Sequence, residues 1–97
     1  MLGLNKFSRF RQSIQESARK INEETKNYFV KEGLSEQQVL EIQRYMLYGD
    51  YSLQGFKSLF KKLGVDDNKT EKYAKKCQDI IIKNYPAPLL KLLGVKK

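Results

Sequence analysis

Residues 34–47, LSEQQVLEIQRYML, contain the clearest helix start in the chain and decide its fold class. Ser35 suits the N-cap position and Gln38 stands three residues later, so their side chains can form a capping box. Apolar residues then recur at the spacing that places them on one broad face of an α-helix: Val39, Leu40, Ile42, Tyr45, Met46 and Leu47. The segment therefore predicts a helix over residues 36–47, whose apolar face must be buried against other helices.

The same signals, helical periodicity followed by a glycine or a proline, recur on both sides of this segment. They predict three more helices and a short helical tail, at residues 5–31, 53–63, 67–85 and 88–93. Gly33 and Gly64 suit the left-handed position after a helix, and Pro86 ends the fourth helix. We therefore expect an all-α fold. We expect the 97 residues to form a single domain over residues 1–97, a compact bundle of four helices plus a short C-terminal helical tail.

The first predicted helix has a narrow apolar stripe with a seven-residue spacing. Its members are Phe7, Ile14, Ile21 and Tyr28. Such a stripe packs either on the rest of the domain or on a second chain as a coiled coil. Ser17 and Thr25 occupy the intervening positions and would fill a coiled-coil seam poorly, so we expect packing within the domain.

The composition argues against catalysis. The chain has no histidine, the side chain most often used for proton transfer and metal binding near neutral pH. Its single cysteine, Cys77, excludes an internal disulfide framework and lies on an apolar helix face, which predicts a buried, unreactive thiol. The six glycines are scattered and form no phosphate-binding loop. We expect no enzymatic activity, no catalytic residue, no cofactor, no metal site and no small-molecule substrate.

The sequence also predicts where the protein resides. No apolar run approaches the ~20 residues of a membrane-spanning helix. The N-terminus has no apolar stretch typical of a signal peptide. Together with the single cysteine, these features predict an intracellular, cytoplasmic protein.

Basic residues outnumber acidic residues, and the excess is unevenly distributed. Nineteen Lys and Arg stand against eleven Asp and Glu, for a net charge of +8. Residues 61–97 have a net charge of +6, residues 1–33 have +3 and residues 34–60 have −1. On the fourth predicted helix, four lysines fall within a sector of about 60° at 100° per residue. We call them the lysine stripe: Lys69, Lys72, Lys76 and Lys83.

Such a stripe can follow a phosphate backbone or cover an acidic protein surface. The candidate polyanion-binding residues are the stripe and two lysines that end the third helix: Lys61, Lys62, Lys69, Lys72, Lys76 and Lys83. The leading hypothesis is a small non-catalytic binding or regulatory protein that docks on an anionic partner, either nucleic acid or an acidic protein surface. The same lysines also suit a solvated surface that only keeps a small protein soluble.

A second hypothesis uses the apolar residues near the two ends of the chain. The N-terminal residues form a basic amphipathic patch, and leucines dominate the C-terminal tail. The candidate protein- or membrane-contact residues are Phe7, Phe10, Ile82, Leu89, Leu90 and Leu93. They predict a protein-interaction or membrane-proximal module, or a small subunit of a larger assembly. In size, charge and helix count the chain resembles small, basic, four-helix bacteriocin immunity proteins, a resemblance that falls under this second hypothesis.

Overall fold

The computed structural model describes the backbone of residues 2–85 and the side chains of residues 15–85. This part of the chain contains four helices and no strand: α1 (Leu2–Lys31), α2 (Glu36–Tyr48), α3 (Leu53–Lys62) and α4 (Asp67–Asn84). The prediction of an all-α bundle is therefore confirmed. Helix α1 begins three residues before its predicted start, and the other helix bounds lie within one residue of the prediction. The predicted tail helix at residues 88–93 lies outside the described residues.

Ser35 caps the start of α2 as predicted. Its side-chain oxygen accepts a hydrogen bond from the backbone N–H of Gln38 at 3.2 Å. The side-chain oxygen of Gln38 in turn accepts one from the backbone N–H of Ser35 at 2.8 Å. Gln38 also donates from its side-chain amide to the backbone oxygen of Leu63 at 3.0 Å. One side chain thus completes the cap of α2 and ties it to the end of α3.

The two glycines predicted to follow helices adopt the left-handed conformation, with φ of 88° at Gly33 and 80° at Gly64. After Gly64, the backbone N–H of Val65 donates to the backbone oxygen of Phe60 at 3.0 Å, and an equivalent bond follows Gly33. These bonds satisfy carbonyl groups at the helix ends. They turn the chain sharply, so that α1 leads directly into α2 and α3 into α4.

Helix α4 packs on both α1 and α3, and α2 packs on α1. Ion pairs show that α1 and α4 are antiparallel, since Glu32 near the end of α1 pairs with Lys72 near the start of α4. Farther along, Glu24 pairs with Lys83. The buried hydrophobic residues form one core, whose members are Ile21, Phe29, Val39, Ile42, Met46, Tyr51, Phe56, Phe60, Tyr73, Ala74, Cys77, Ile80, Ile81 and Tyr85.

The face that α1 buries follows the predicted stripe and its intervening positions as far as Thr25, and departs from the prediction at Phe29. Its buried residues among the described side chains are four apart: Ser17, Ile21, Thr25 and Phe29. Tyr28, which the stripe included, is only half-buried at the edge of the core. At 100° per residue a seven-residue step returns to within about 20° of the same face, whereas each four-residue step turns the buried row by about 40°. The buried row therefore winds around α1 and brings Phe29 into the core, against Phe60 and Tyr73.

An aromatic cluster joins three of the helices. The ring of Phe29 from α1 lies 5.2 Å from the ring of Tyr73 of α4 and 5.5 Å from that of Phe60 of α3. The rings of Phe60 and Tyr73 are 5.4 Å apart. Aromatic pairs of this kind contribute about 0.5–1.5 kcal/mol each beyond their burial. The cluster holds α4 between α1 and α3, and this placement determines what surrounds the lysine stripe.

Candidate binding surfaces

Two lysines of the lysine stripe form ion pairs with glutamates of α1. Lys72 Nζ lies 3.6 Å from Glu32 Oε1, and Lys83 Nζ lies 3.2 Å from Glu24 Oε1. The lysine side chains remain 64% and 71% exposed. Each is therefore a surface ion pair, worth about 0.2–1 kcal/mol. Both pairs nevertheless place a negative charge beside a lysine that the sequence assigned to an anionic partner.

Each of these glutamates also accepts a hydrogen bond from a neutral side chain near the lysine it pairs with. The Tyr73 hydroxyl donates to Glu32 Oε1 at 3.1 Å, and Asn84 Nδ2 donates to Glu24 Oε2 at 3.2 Å. Burial, reinforced by the hydrogen bond to Glu32, raises the pKa of Tyr73, so its phenol stays protonated and remains a donor. Glu24 and Glu32 are thus held beside the lysine stripe by two contacts each.

A third lysine of the stripe, Lys76, lies over an aromatic ring of α1. Its Nζ is 5.0 Å from the centroid of the Tyr28 ring. A cation–π contact of this kind contributes about 0.5–1 kcal/mol at an exposed site. We call Lys72, Lys76 and Lys83, together with their partners on α1, the α1–α4 seam.

The remaining candidate lysines lie near the turn between α3 and α4. Lys61 and Lys62 end α3, and Lys69 lies in the first turn of α4. All three are exposed, and none of them forms an ion pair within residues 15–85. Two acidic residues, Asp66 and Asp67, are exposed between them in the chain. The structure thus divides the six candidate lysines into the seam group and this turn group, and acidic residues accompany both.

The described region and the two ends of the chain differ in charge. All eleven acidic residues lie between Glu16 and Asp79. Residues 15–85 contain thirteen basic residues and have a net charge of +2, whereas residues 1–14 and residues 86–97 each contain three basic residues and no acidic residue. These two terminal segments therefore contribute +6 of the net charge of +8. The net charges of residues 1–33 and 61–97 do not show this difference, because both ranges include acidic residues of the helices.

Among the apolar contact candidates, Ile82 alone lies within the described side chains. It is half-buried and packs against the core, and the rest of its side chain remains exposed. The others lie outside the described side chains: Phe7, Phe10, Leu89, Leu90 and Leu93.

The sequence did not lead us to expect that two hydrophobic residues of α2 are exposed to solvent. Leu40, predicted on the buried face, is 43% exposed, and Tyr48 is 87% exposed. Tyr48 lines a shallow groove together with Arg44 and Lys62. Because Tyr48 lies two residues after the buried Met46, a rotation of about 200°, a helical wheel would have assigned it to solvent.

Cys77 is fully buried, and burial raises the pKa of its thiol far above the usual range, which agrees with the predicted unreactive cysteine. Within residues 15–85, no group of three or more acidic or cysteine side chains is arranged to hold a metal ion. In the same part of the chain, no helix combines the length and the apolar character needed to cross a bilayer.

Comparisons of the chain with protein-family models, with curated proteins and with solved structures find no match. The structure defines the class as a small, basic, all-α helical bundle. The function is therefore inferred from the surfaces described above.

Proposed function

We propose that this chain is a small non-catalytic binding protein that docks on an anionic partner, chiefly through its two terminal segments. The observation that carries the proposal is the charge partition, in which residues 1–14 and 86–97 hold most of the net charge. Attraction to an anionic surface depends on positive charge that nearby acidic residues do not compensate. The bundle supplies little of it, because its basic and acidic residues are interspersed.

The α1–α4 seam supports this docking less directly than the sequence suggested. A phosphate group that contacts Lys72 or Lys83 must either displace the paired glutamate or lie close to it, which like-charge repulsion disfavours. The remaining seam lysine would have to leave its aromatic ring. The seam lysines therefore serve the contact between α1 and α4 first and an external partner second.

The turn group favours a second candidate function, the binding of nucleic acid or an acidic protein surface. Lys61, Lys62 and Lys69 are exposed and have no ion-pair partner within residues 15–85, and Lys75 is exposed on the same helix as Lys69. Lysine acts as a point charge and lacks the planar fork with which arginine reads guanine or phosphate. Binding through this group would be salt-dependent and independent of nucleotide sequence.

Docking through the terminal segments agrees with the second sequence-based hypothesis, a protein-interaction or membrane-proximal module. That second hypothesis also covers a bundle that resembles the immunity proteins and a small subunit of a larger assembly. In each case the helical bundle acts as the scaffold, and binding of a partner is the whole activity.

Binding to labelled heparin, to duplex DNA and to anionic vesicles across about 50 to 200 mM salt tests the proposal. Arg9→Gln with Lys97→Gln removes one charge from each terminal segment, and Lys61→Gln with Lys69→Gln removes two charges from the turn group as a matched control. We expect the terminal variant to weaken binding more than the turn variant. A larger loss in the turn variant would favour the second candidate function. No binding to any of the three probes at low salt would refute docking on an anionic partner.

A further inference from the structure

Helix α1 extends beyond the ends of α2 and α4, the two described helices that pack on it. The described contacts place Asn22 of α1 beside Gln43 of α2, and Glu24 of α1 beside Asn84, the last residue of α4. Because α2 and α4 run antiparallel to α1, α4 ends near Glu24 and α2 ends about one and a half turns beyond Asn22. From that level α1 continues as a helix to Leu2, over about 20 Å at 1.5 Å per residue.

Residues 2–14, which we call the projecting segment of α1, have the apolar pattern of an amphipathic helix. At 100° per residue, Phe7, Phe10 and Ile14 fall within a sector of about 60°. The same sector contains Ile21, which the bundle buries. The apolar face of α1 therefore continues in register beyond the level at which the described parts of α2 and α4 end.

Basic residues border this apolar sector. Lys6 and Arg11 fall on its opposite flanks, Arg9 falls farther round the helix, and the projecting segment has no acidic residue. An amphipathic helix with this pattern lies in the plane of a membrane interface, with its apolar face among acyl chains and its cationic groups among headgroups. A phosphate backbone would engage the basic residues alone and leave the apolar sector in water. The combination therefore favours a lipid surface over nucleic acid.

The C-terminal segment is likewise basic and apolar, and it follows α4, which ends near the level at which α1 begins to project. Because Asn84 lies beside Glu24, the chain leaves α4 close to the level at which α1 begins to project. Residues 86–97 contain three lysines, four leucines and one valine, and no acidic residue. One anionic membrane surface can therefore attract both terminal segments.

We propose that the projecting segment of α1 lies in the interface of a bilayer rich in anionic lipid and anchors the bundle there. The inference rests on the proposed function, because it names the anionic partner as a lipid surface. Each basic residue near such a surface raises partitioning about fivefold, and the effect fades within a Debye length.

Co-sedimentation of the full chain with phosphatidylcholine vesicles, with and without phosphatidylglycerol, tests the inference. Arg9→Gln with Arg11→Gln should lower partitioning into the anionic vesicles about 25-fold. Lys61→Gln with Lys62→Gln removes the same charge from the bundle and should lower it less than about threefold, because those residues are remote from the interface. Circular dichroism and urea unfolding check that both variants fold.

A single tryptophan reports insertion directly, because the chain has none. With Phe10→Trp, the emission should shift to the blue on anionic vesicles, since the indole enters the interface. With Val30→Trp, an exposed position near the opposite end of α1 and on the side away from the apolar sector, the emission should not shift. A shift at both positions, or only at Val30→Trp, would overturn the assignment to the projecting segment.

Partitioning that requires anionic lipid, and that falls in the arginine variant alone, supports the inference. Binding to heparin or DNA without partitioning into anionic vesicles would overturn it and leave the proposed function intact. Equal losses in the two variants would also overturn it, because net charge would then govern binding. No binding to any anionic probe would overturn both the inference and the proposed function.

Discussion

Releasing the seam lysines from their glutamates should convert α4 into a stronger polyanion-binding surface. The perturbation is Glu24→Gln with Glu32→Gln, which removes the negative charges beside Lys83 and Lys72. Glutamine retains a side-chain oxygen, so the hydrogen bonds that the two glutamates accept from neutral donors can persist. The double variant therefore changes the charge of the seam with little change of shape.

The expected magnitudes follow from the exposure of the two pairs. Both lysines are more than half exposed. The loss of two surface ion pairs should therefore lower the free energy of unfolding by about 0.5–2 kcal/mol in total. Each lysine that becomes free to contact phosphate should steepen the dependence of log K on log salt by about 0.9, or about 1.8 for the two.

Fluorescence anisotropy with labelled duplex DNA over a salt series measures this slope. The matched control is Glu16→Gln with Glu36→Gln, which changes the net charge equally at exposed positions outside the seam. Its slope should equal that of the wild-type chain. If the seam variant and the control gave the same dependence of log K on log salt, the ion pairs would not limit the contact of Lys72 and Lys83 with phosphate. That result would refute the reasoning.

Four further predictions concern the bundle. Thr25→Val should raise the free energy of unfolding by about 1–2 kcal/mol, because the buried Thr25 hydroxyl has no hydrogen-bond partner within the described residues; a lower midpoint in urea would contradict this. Gly55→Ala should lower the free energy of unfolding, because the added Cβ would lie 2.6 Å from the backbone oxygen of Asp50. Alanine in place of glycine normally stabilises a helix by about 1 kcal/mol, so a more stable variant would show that the backbone at Asp50 shifts to make room for the methyl group. The Cys77 thiol should react with an aromatic disulfide reagent only after unfolding, since it is fully buried; rapid reaction of the folded chain argues against the packing. Burial raises the pKa of Tyr51 from 10.0 to about 12, so its contribution to stability should be complete below pH 10 and be lost as the pH rises from 10 to about 12; an unfolding midpoint that does not fall over this range would exclude the effect.

The local features of the fold were predictable from the sequence because they depend on neighbouring residues. The capping box joins Ser35 and Gln38, three positions apart. The left-handed glycines are identified by the absence of a side chain just after an amphipathic segment. The helical periodicity also predicts one apolar face of α4, and all of its members are buried: Tyr73, Ala74, Cys77, Ile80 and Ile81.

The face of α1 was predicted less well, because its buried residues depend on how two other helices cross it. The seven-residue pattern placed Tyr28 in the core and omitted Phe29. In the structure Phe29 is fully buried and Tyr28 is only half-buried, because the helices that pack on α1 cover the face that contains Phe29. No local signal distinguishes adjacent aromatic residues in this way.

The positions of the helices, the excess of positive charge and the absence of acidic residues from the terminal segments follow from the sequence by itself, because each depends on residue type or on contacts within a few positions. Tertiary structure alone decided which lysines remain available. The hydrogen bonds that hold Glu32 and Glu24 to α4 join residues 41 and 60 positions apart. Such contacts exist only because the packing of Phe29, Phe60 and Tyr73 sets α4 against α1. An ion pair requires that two charged groups lie within about 4 Å of each other. The packing of the core sets the distance between α1 and α4, and the order of charges along the sequence does not determine that packing.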